Sequence, residues 1–285
     1  MLRCLGIFRE VTNSPNRESD DALILQAVLE QLAPMGFKTR AVTPEEADGL
    51  DLRGWDLIIP MCESYPRIMR LLRESEGSTA LWANPPRAVL NCYRTHLAPA
   101  MQALGEVRFP DTEVRTVEAG AGDPPAFPAP QGWWLKRGDV HNTCDHDVVR
   151  AETWERAREI VSDFQKREIT HWIIQPHIDG DLIKFYGAGP GHWFTWFYHD
   201  AVRACRHVFD VDSLATQAAA GATALALQIF GGDAIIAPDG TITVLDFNSW
   251  PSFALVRKEA AVQISWQLQK RLKHALALPK TKRTT

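Results

Sequence analysis

Leu2 to Phe8 is a short apolar run, and the segment behind it, Arg9 to Asp20, is polar with Asn, Ser and Pro. That pattern predicts a buried strand followed by a loop at its C-terminal end. Asp20 stands where a helix cap belongs, and Leu23, Ala27, Leu29 and Leu32 recur near helical spacing up to about Met35. Phe37 to Val42 and Asp56 to Pro60 read as strands, and Pro66 to Glu74 as a helix. This order predicts a small open α/β lobe over residues 1–83.

Asn84-Pro85-Pro86 marks a boundary. Beyond it the periodicity predicts a helix over Arg87–Leu104, a strand over Glu113–Val117, and an Ala/Gly/Pro-rich loop from Glu118 to Gln131. Trp133–Lys136 resumes as a strand. Glu152–Arg167 has Ala157, Ile160, Val161 and Phe164 on one helical face. Trp172–Gln175 and Leu182–Gly187 are strand-like, Ala215–Leu227 and Ala260–Leu276 helical. Between these helices two alternating apolar runs, Asp233–Ile236 and Thr241–Phe247, flank Pro238-Asp239-Gly240, which predicts a β-hairpin. Two further lobes follow, over 84–177 and 178–285.

Composition changes this picture little. A hydrophobic fraction of 45% and a charged fraction of 23% suit a soluble globular chain, and a net charge of −4 offers no footprint for a nucleic-acid partner. No apolar run approaches the roughly 18 to 20 residues that span a bilayer, so no membrane partner is expected. The five cysteines are scattered without a C-x-x-C pair. That argues against a disulfide framework or a structural zinc site and points to a reducing cytoplasm. Ten tryptophans read as packing residues. Nothing in the pattern bears on the oligomeric state.

The sharpest chemistry lies in the hairpin. Asp246 and Asn248 stand at i and i+2 on its second strand, so their side chains leave one face, and pairing brings Asp233 beside them. Three hard oxygen donors converging in this way suit a magnesium ion held on nucleotide phosphates. The bland alternative is a set of solvated hairpin acids. Upstream stand Lys136 at a strand end, the run Ile173-Ile-Gln-Pro-His-Ile178, and Lys184 flanked by apolar Ile183 and Phe185, which places its side chain on the opposite face from theirs. Neither a G-x-x-x-x-G-K-[ST] loop nor a G-x-S-x-G elbow is present.

The stretches Ile229-Phe-Gly-Gly-Asp-Ala-Ile-Ile236 and Val244-Leu-Asp-Phe-Asn-Ser-Trp-Pro251 resemble the metal-binding hairpin of the ATP-grasp superfamily. Trp134-Leu-Lys136, the run ending at Ile178, and Asp181-Leu-Ile-Lys-Phe-Tyr-Gly187 match further family elements in the family's order, over about residues 84 to 260. The resemblance implies an α/β chain, with α+β C-terminal lobes in the ATP-grasp fold behind an N-terminal α/β domain. It implies ATP and Mg2+ as cofactors. Lys136 and Lys184 would meet phosphate, Gln175, Pro176, His177 and Ile178 would line adenine, and Asp233, Asp246 and Asn248 would hold the metal. Relatives carry a lysine near the end of the central-lobe helix; here Arg94 or His96 is the substitute, or the contact is absent.

The loop after Lys136, with His141, Thr143, His146 and Asp147, resembles that of the inositol-phosphate kinase branch. On that resemblance His141 faces the acceptor as a catalytic or orienting group, together with Lys184. Phosphoryl transfer to a small anionic polyol is therefore the first expectation. A carboxylate–amine ligase acting through an acyl phosphate is the second, and a nucleotide-binding module without turnover the third. The dense basic clusters that a heavily phosphorylated acceptor calls for are thin: Arg9, Arg17, Arg67, Arg257 and Lys258 stand at loop ends, and each reads as a solvated surface charge before a ligand.

Overall fold

The structure is a computed structural model and describes residues 1–11 and 18–277. Strand β1 (Leu2–Ile7) is buried on both faces, with Cys4, Leu5 and Ile7 inaccessible, as a continuous apolar run in a parallel sheet should be. Helix α1 (Glu18–Leu32) leads to β2 (Phe37–Val42), α2 (Pro44–Asp48), β3 (Leu57–Pro60), α3 (Tyr65–Ser75) and the short β4 (Leu81–Trp82). These strands form a parallel sheet in the order β2-β1-β3-β4. The chain segments that leave the C-terminal ends of β1 and β3 carry Arg9 and Glu63, and open α/β sheets use that edge for ligands.

After α4 (Pro86–Asn91) and α5 (Arg94–Leu104), a second sheet has the order β5-β8-β6-β7. It comprises β5 (Glu113–Thr116), β6 (Trp133–Arg137), β7 (Val148–Ala151) and, after α6 (Trp154–Lys166), β8 (His171–Pro176). All its pairings are antiparallel. One face packs Leu135, Trp172 and Ile174 on Ala157, Ile160, Val161 and Phe164 of α6. A third antiparallel sheet runs β10-β9-β11-β12, from β9 (Asp181–Ala188), β10 (Trp193–Tyr198), β11 (Ile229–Ile236) and β12 (Ile242–Ser249), with α7 (Val211–Ala224) inserted before β11. Ile183, Phe185, Phe230, Val244 and Phe247 pack on Leu214, Ala218 and Ala222 of α7. The opposite faces of the second and third sheets look onto a shared cleft.

The last helix, α8 (Arg257–Ala277), returns to the first lobe. Ile264, Leu268 and Leu272 share a core with Ile24, Leu25 and Val28 of α1, and Ser265 Oγ donates to Val28 O at 3.2 Å. A second tie is Asn84, completely buried. Its Oδ1 accepts from Gln228 N (2.6 Å) and Ile229 N (2.9 Å), and its Nδ2 donates to Ile229 O (2.6 Å). Trp250 Nε1 donates to Ala83 O beside it at 2.9 Å. The first sheet is thus fastened to the strand that carries Asp233.

The structure departs from the sequence pattern in several places. The expected helix over 87–104 breaks at Cys92-Tyr93, so that Arg94 opens a separate helix. On α1 the buried side carries Ile24, Leu25, Val28 and Leu32, whereas Leu23 is exposed, because the helix begins at Glu18 and packs against α8 as well as the sheet. Strands β4, β7 and β10 and helix α2 were not expected. No helix among the described residues is long and apolar enough to cross a membrane.

Candidate functional site

The cleft between the second and third sheets has a volume of about 720 Å³, within the range of small-molecule sites. Its floor is the hairpin. Asp233 lies directly opposite Asp246, and Asn248 opposite Gly231, so the three oxygen-bearing residues expected from the sequence share one region of the cleft wall. The register slips after Asp233, where Ala234 pairs with Val244 and Leu245 is the extra residue of a bulge. Leu245 therefore lines the cleft beside Asp246 rather than alternating with it, a correction to strict period-two reading. Gly232 is needed here, since a Cβ would stand 2.3 Å from Asp246 O.

Both carboxylates face side-chain cations. Lys184 Nζ, from the cross-strand position on β9, meets Asp233 Oδ1 at 2.7 Å, and Arg94 Nη2 meets Asp246 Oδ2 at 3.0 Å. Arg94 is 9% exposed at the first position of α5, where a helix terminus disfavours a cation. It is held by Asp246, by Arg137 O (2.9 Å) and by Asn142 Oδ1 (2.7 Å). Arg94 reaches the cleft, whereas His96 is exposed and turns its Nδ1 to Leu90 O.

Lys136 differs from the other cations. It is 8% exposed, lines the cleft, and has no ion-pair or hydrogen-bond partner among the described residues. Its pKa is lowered from 10.5 to about 8, by burial first and by the neighbouring Arg94 second, with Asp246 and Asp233 opposing the shift. An anion bound beside such an ammonium would raise its pKa again.

At the other end, Gln175 is 2% exposed. Its Nε2 donates to Thr112 Oγ1 at 2.9 Å, and that hydroxyl donates its own hydrogen to Pro110 O at 2.8 Å. The amide is thereby oriented, and its Oε1 is a buried acceptor with no protein partner. Pro176, His177 and Ile178 continue along the wall. Trp134 Nε1 donates to His177 Nδ1 at 3.0 Å, which places the imidazole proton on Nε2, toward Asp179 Oδ1 at 3.1 Å. Gly180 follows with φ +145°, and a Cβ there would stand 2.2 Å from Ile236 O, so only glycine permits this crossing from β8 to β9.

The N-terminal lobe supplies the third wall. Arg9 forms ion pairs with Asp21 (3.2 Å) and Glu63 (3.3 Å), and donates to Met61 O, Ser249 O and Trp250 O. His141 lines the cleft with its ring edge-on to Tyr93 at 5.1 Å, its Nε2 buried without a partner. His146 lies outside, beside Arg156 and Asp163. Arg67 is taken up by Glu10, Glu45 and Asp48, Arg257 by Asp20, and Lys258 is exposed; Arg17 lies outside the described residues. Asp21, Glu63, Thr112 and Asn142 escaped the sequence reading, because each joins the site through tertiary contact rather than a local spacing.

The donors suit a hard divalent cation: two carboxylates and a side-chain amide, with no thiolate or imidazole among them. The unpartnered Gln175 Oε1 and Lys136 Nζ likewise fit the two ends of a nucleotide.

No protein-family model and no curated protein matches the sequence. Solved structures do match. D-alanyl-alanine synthetase A from Vibrio cholerae superposes with a TM-score of 0.70 at 11% identity, over 97% of this chain and 99% of that one. D-cycloserine synthetase DcsG gives 0.67 at 18% identity, over 94% and 99%. A RimK domain protein of ATP-grasp type from Sphaerobacter thermophilus gives 0.66 at 14% identity, over 93% and 99%. The likeness at such identities is one of fold, it spans nearly the whole of each chain, and it agrees with the hairpin and lysine strands described above: this chain has the ATP-grasp fold.

Proposed function

We propose that this chain is an ATP-dependent carboxylate–amine ligase. The observation that carries the choice is the distribution of cations around the cleft. Lys136 is buried and unpaired at the nucleotide end, whereas Arg9, on the N-terminal wall, is enclosed by two carboxylates and three carbonyls. A polyanionic acceptor such as an inositol phosphate would need uncommitted cations on that wall, and of the described candidates outside the cleft Arg67 and Arg257 are paired and Lys258 is an exposed residue that does not line it. The fold is shared with a D-alanyl-alanine synthetase and a D-cycloserine synthetase, which adds weight to the ligase over the polyol kinase.

In this reading Gln175 Oε1 accepts from the exocyclic amino group of adenine, with Pro176, His177 and Ile178 along the ring. Lys136 and Lys184 neutralise phosphate oxygens. Asp233, Asp246 and Asn248 would hold magnesium, which supplies charge neutralisation at the transferring phosphoryl group. An acceptor carboxylate oxygen bonds to the γ-phosphorus as ADP leaves. The amine nitrogen then bonds to the acyl carbon, phosphate leaves, and the amine loses a proton. Arg94 and Lys136 stabilise the charge that develops through this sequence, and the closed wall of Arg9, Glu63 and His141 shields the acyl phosphate from water.

Product analysis tests the reading. The chain, with magnesium and ATP, is offered pairs of amino acids or peptides and, separately, inositol phosphates. The ligase forms ADP, free phosphate and an amide in equal amounts. Phosphate retained on a hydroxyl of the acceptor, with none released, would replace it with the kinase.

A further inference from the structure

Outside the cleft, three side chains of different chemistry meet at the start of β9. Asp181, the first residue of that strand, is 5% exposed, and the segment between β10 and α7 brings Cys205 and His207 onto it. One carboxylate oxygen, the Cys205 sulfur and one His207 ring nitrogen all lie within 4.8 Å of one another. Spaced as C-x-H, with the acid 24 residues upstream of the cysteine, the set has no sequence signature of a zinc site. Only the fold assembles it.

We propose that Asp181, Cys205 and His207 form a binding site for a thiophilic divalent cation, zinc above all, distinct from the magnesium donors of the cleft. The ligand chemistry argues for this class. A thiolate, an imidazole and a carboxylate make a mixed sulfur, nitrogen and oxygen set, which selects zinc and rejects magnesium. Zinc bonds of about 2.0–2.3 Å in a tetrahedron bring ligand atoms to roughly 3.5 Å apart. The observed spacing closes to that by side-chain rotation, since Cys205 is exposed and His207 only half-buried. The backbone is already in place. Asp181 Oδ1 accepts from Cys205 N at 2.7 Å and Oδ2 from His207 N at 2.8 Å, so one carboxylate holds both ligand-bearing residues. The backbone N–H of Arg206 also bonds the carboxylate, so three of its four lone pairs are taken and one is left for a metal.

Binding releases the thiol proton of Cys205 to solvent and leaves a fourth position for water. The site would pin the segment carrying residues 199–210 to β9. Asp181 follows Asp179 and Gly180, which line the cleft, and precedes Lys184 on the same strand. The cation would therefore brace the strand that presents Lys184 to Asp233, without touching the nucleotide.

Cobalt(II), a zinc surrogate, tests the proposal. The full chain, reduced and saturated with magnesium to mask the cleft donors, is titrated with cobalt while the thiolate-to-cobalt charge-transfer absorption is followed. One equivalent should give the band, and zinc should abolish it by displacement. Cys205→Ser should lose the band, and His207→Ala should weaken binding by about tenfold or more. Cys144→Ser, which changes the other exposed thiol, should leave it unaltered. Cys205 is exposed, so its serine variant folds, and circular dichroism checks that it has. No band in the parent chain, a band surviving in Cys205→Ser, or one lost in Cys144→Ser would each overturn the site.

Discussion

Lys136→Met should make the unliganded protein more stable and at the same time a poorer nucleotide binder. The lysine is almost completely enclosed, with no counter-ion in contact among the described residues, and its pKa is lowered from 10.5 to about 8, chiefly by burial. That drop corresponds to about 3 kcal/mol set against the folded state while the side chain is charged. Because the folded value lies below the unfolded one, the unfolded chain binds more protons between pH 8 and 10.5, and wild-type stability rises through that window. Below pH 8 the full penalty is present; above pH 10.5 it has gone. Methionine fills similar volume without a charge, so the variant should exceed wild type by about 3 kcal/mol at neutral pH and converge on it above pH 10.5. Urea unfolding of both proteins across this range measures the gap. A bound phosphate would restore the proton, so ATP titrated near pH 8 should take up about half a proton per molecule, seen as a buffer-dependent heat. A variant less stable than wild type at neutral pH, or a gap indifferent to pH, would refute the reasoning.

Asp246→Asn should lower turnover by on the order of a hundredfold or more, with an unchanged circular dichroism spectrum, because it removes one charge from the metal donors and from Arg94. Thr112→Val should relax nucleotide choice. The hydroxyl is what orients Gln175, and without it the amide can turn its donor toward the cleft, so ATP preference over GTP should fall by about tenfold in competition binding. Asn84→Ala should cost about 2–4 kcal/mol in urea unfolding, since the three hydrogen bonds this buried side chain makes to Gln228 and Ile229 are lost.

The hairpin was legible because its signals are local: Asp239-Gly240 sets the turn, and alternation places Asp246 and Asn248 together. The strands bearing Lys136 and Lys184 could be read for the same reason. The bulge at Leu245 could not, since one extra residue in a ladder leaves no mark in the apolar pattern. Strand β10, Trp-Phe-Thr-Trp-Phe-Tyr, is aromatic and half-buried on both faces, so it lacks the alternation that betrays a strand. The break between α4 and α5 was hidden because no Gly or Pro marks Cys92-Tyr93, although Ala88, Leu97 and Met101 face one core and Val89, Leu90 and Tyr93 another. The acceptor wall was the least visible part. Arg9 looked like a loose surface cation, and only the fold brings Asp21 and Glu63 from distant segments to neutralise it. That pairing turned the reading from an anionic polyol toward a carboxylate and an amine.

A crystal structure of the chain with magnesium and a non-hydrolysable ATP analogue tests the central claim most directly. The account predicts adenine along Gln175 to Ile178 with its amino group on Gln175 Oε1, phosphates between Lys136 and Lys184, and the cation on Asp233, Asp246 and Asn248. A nucleotide bound elsewhere, or one bound here with those three side chains untouched by metal, would contradict it.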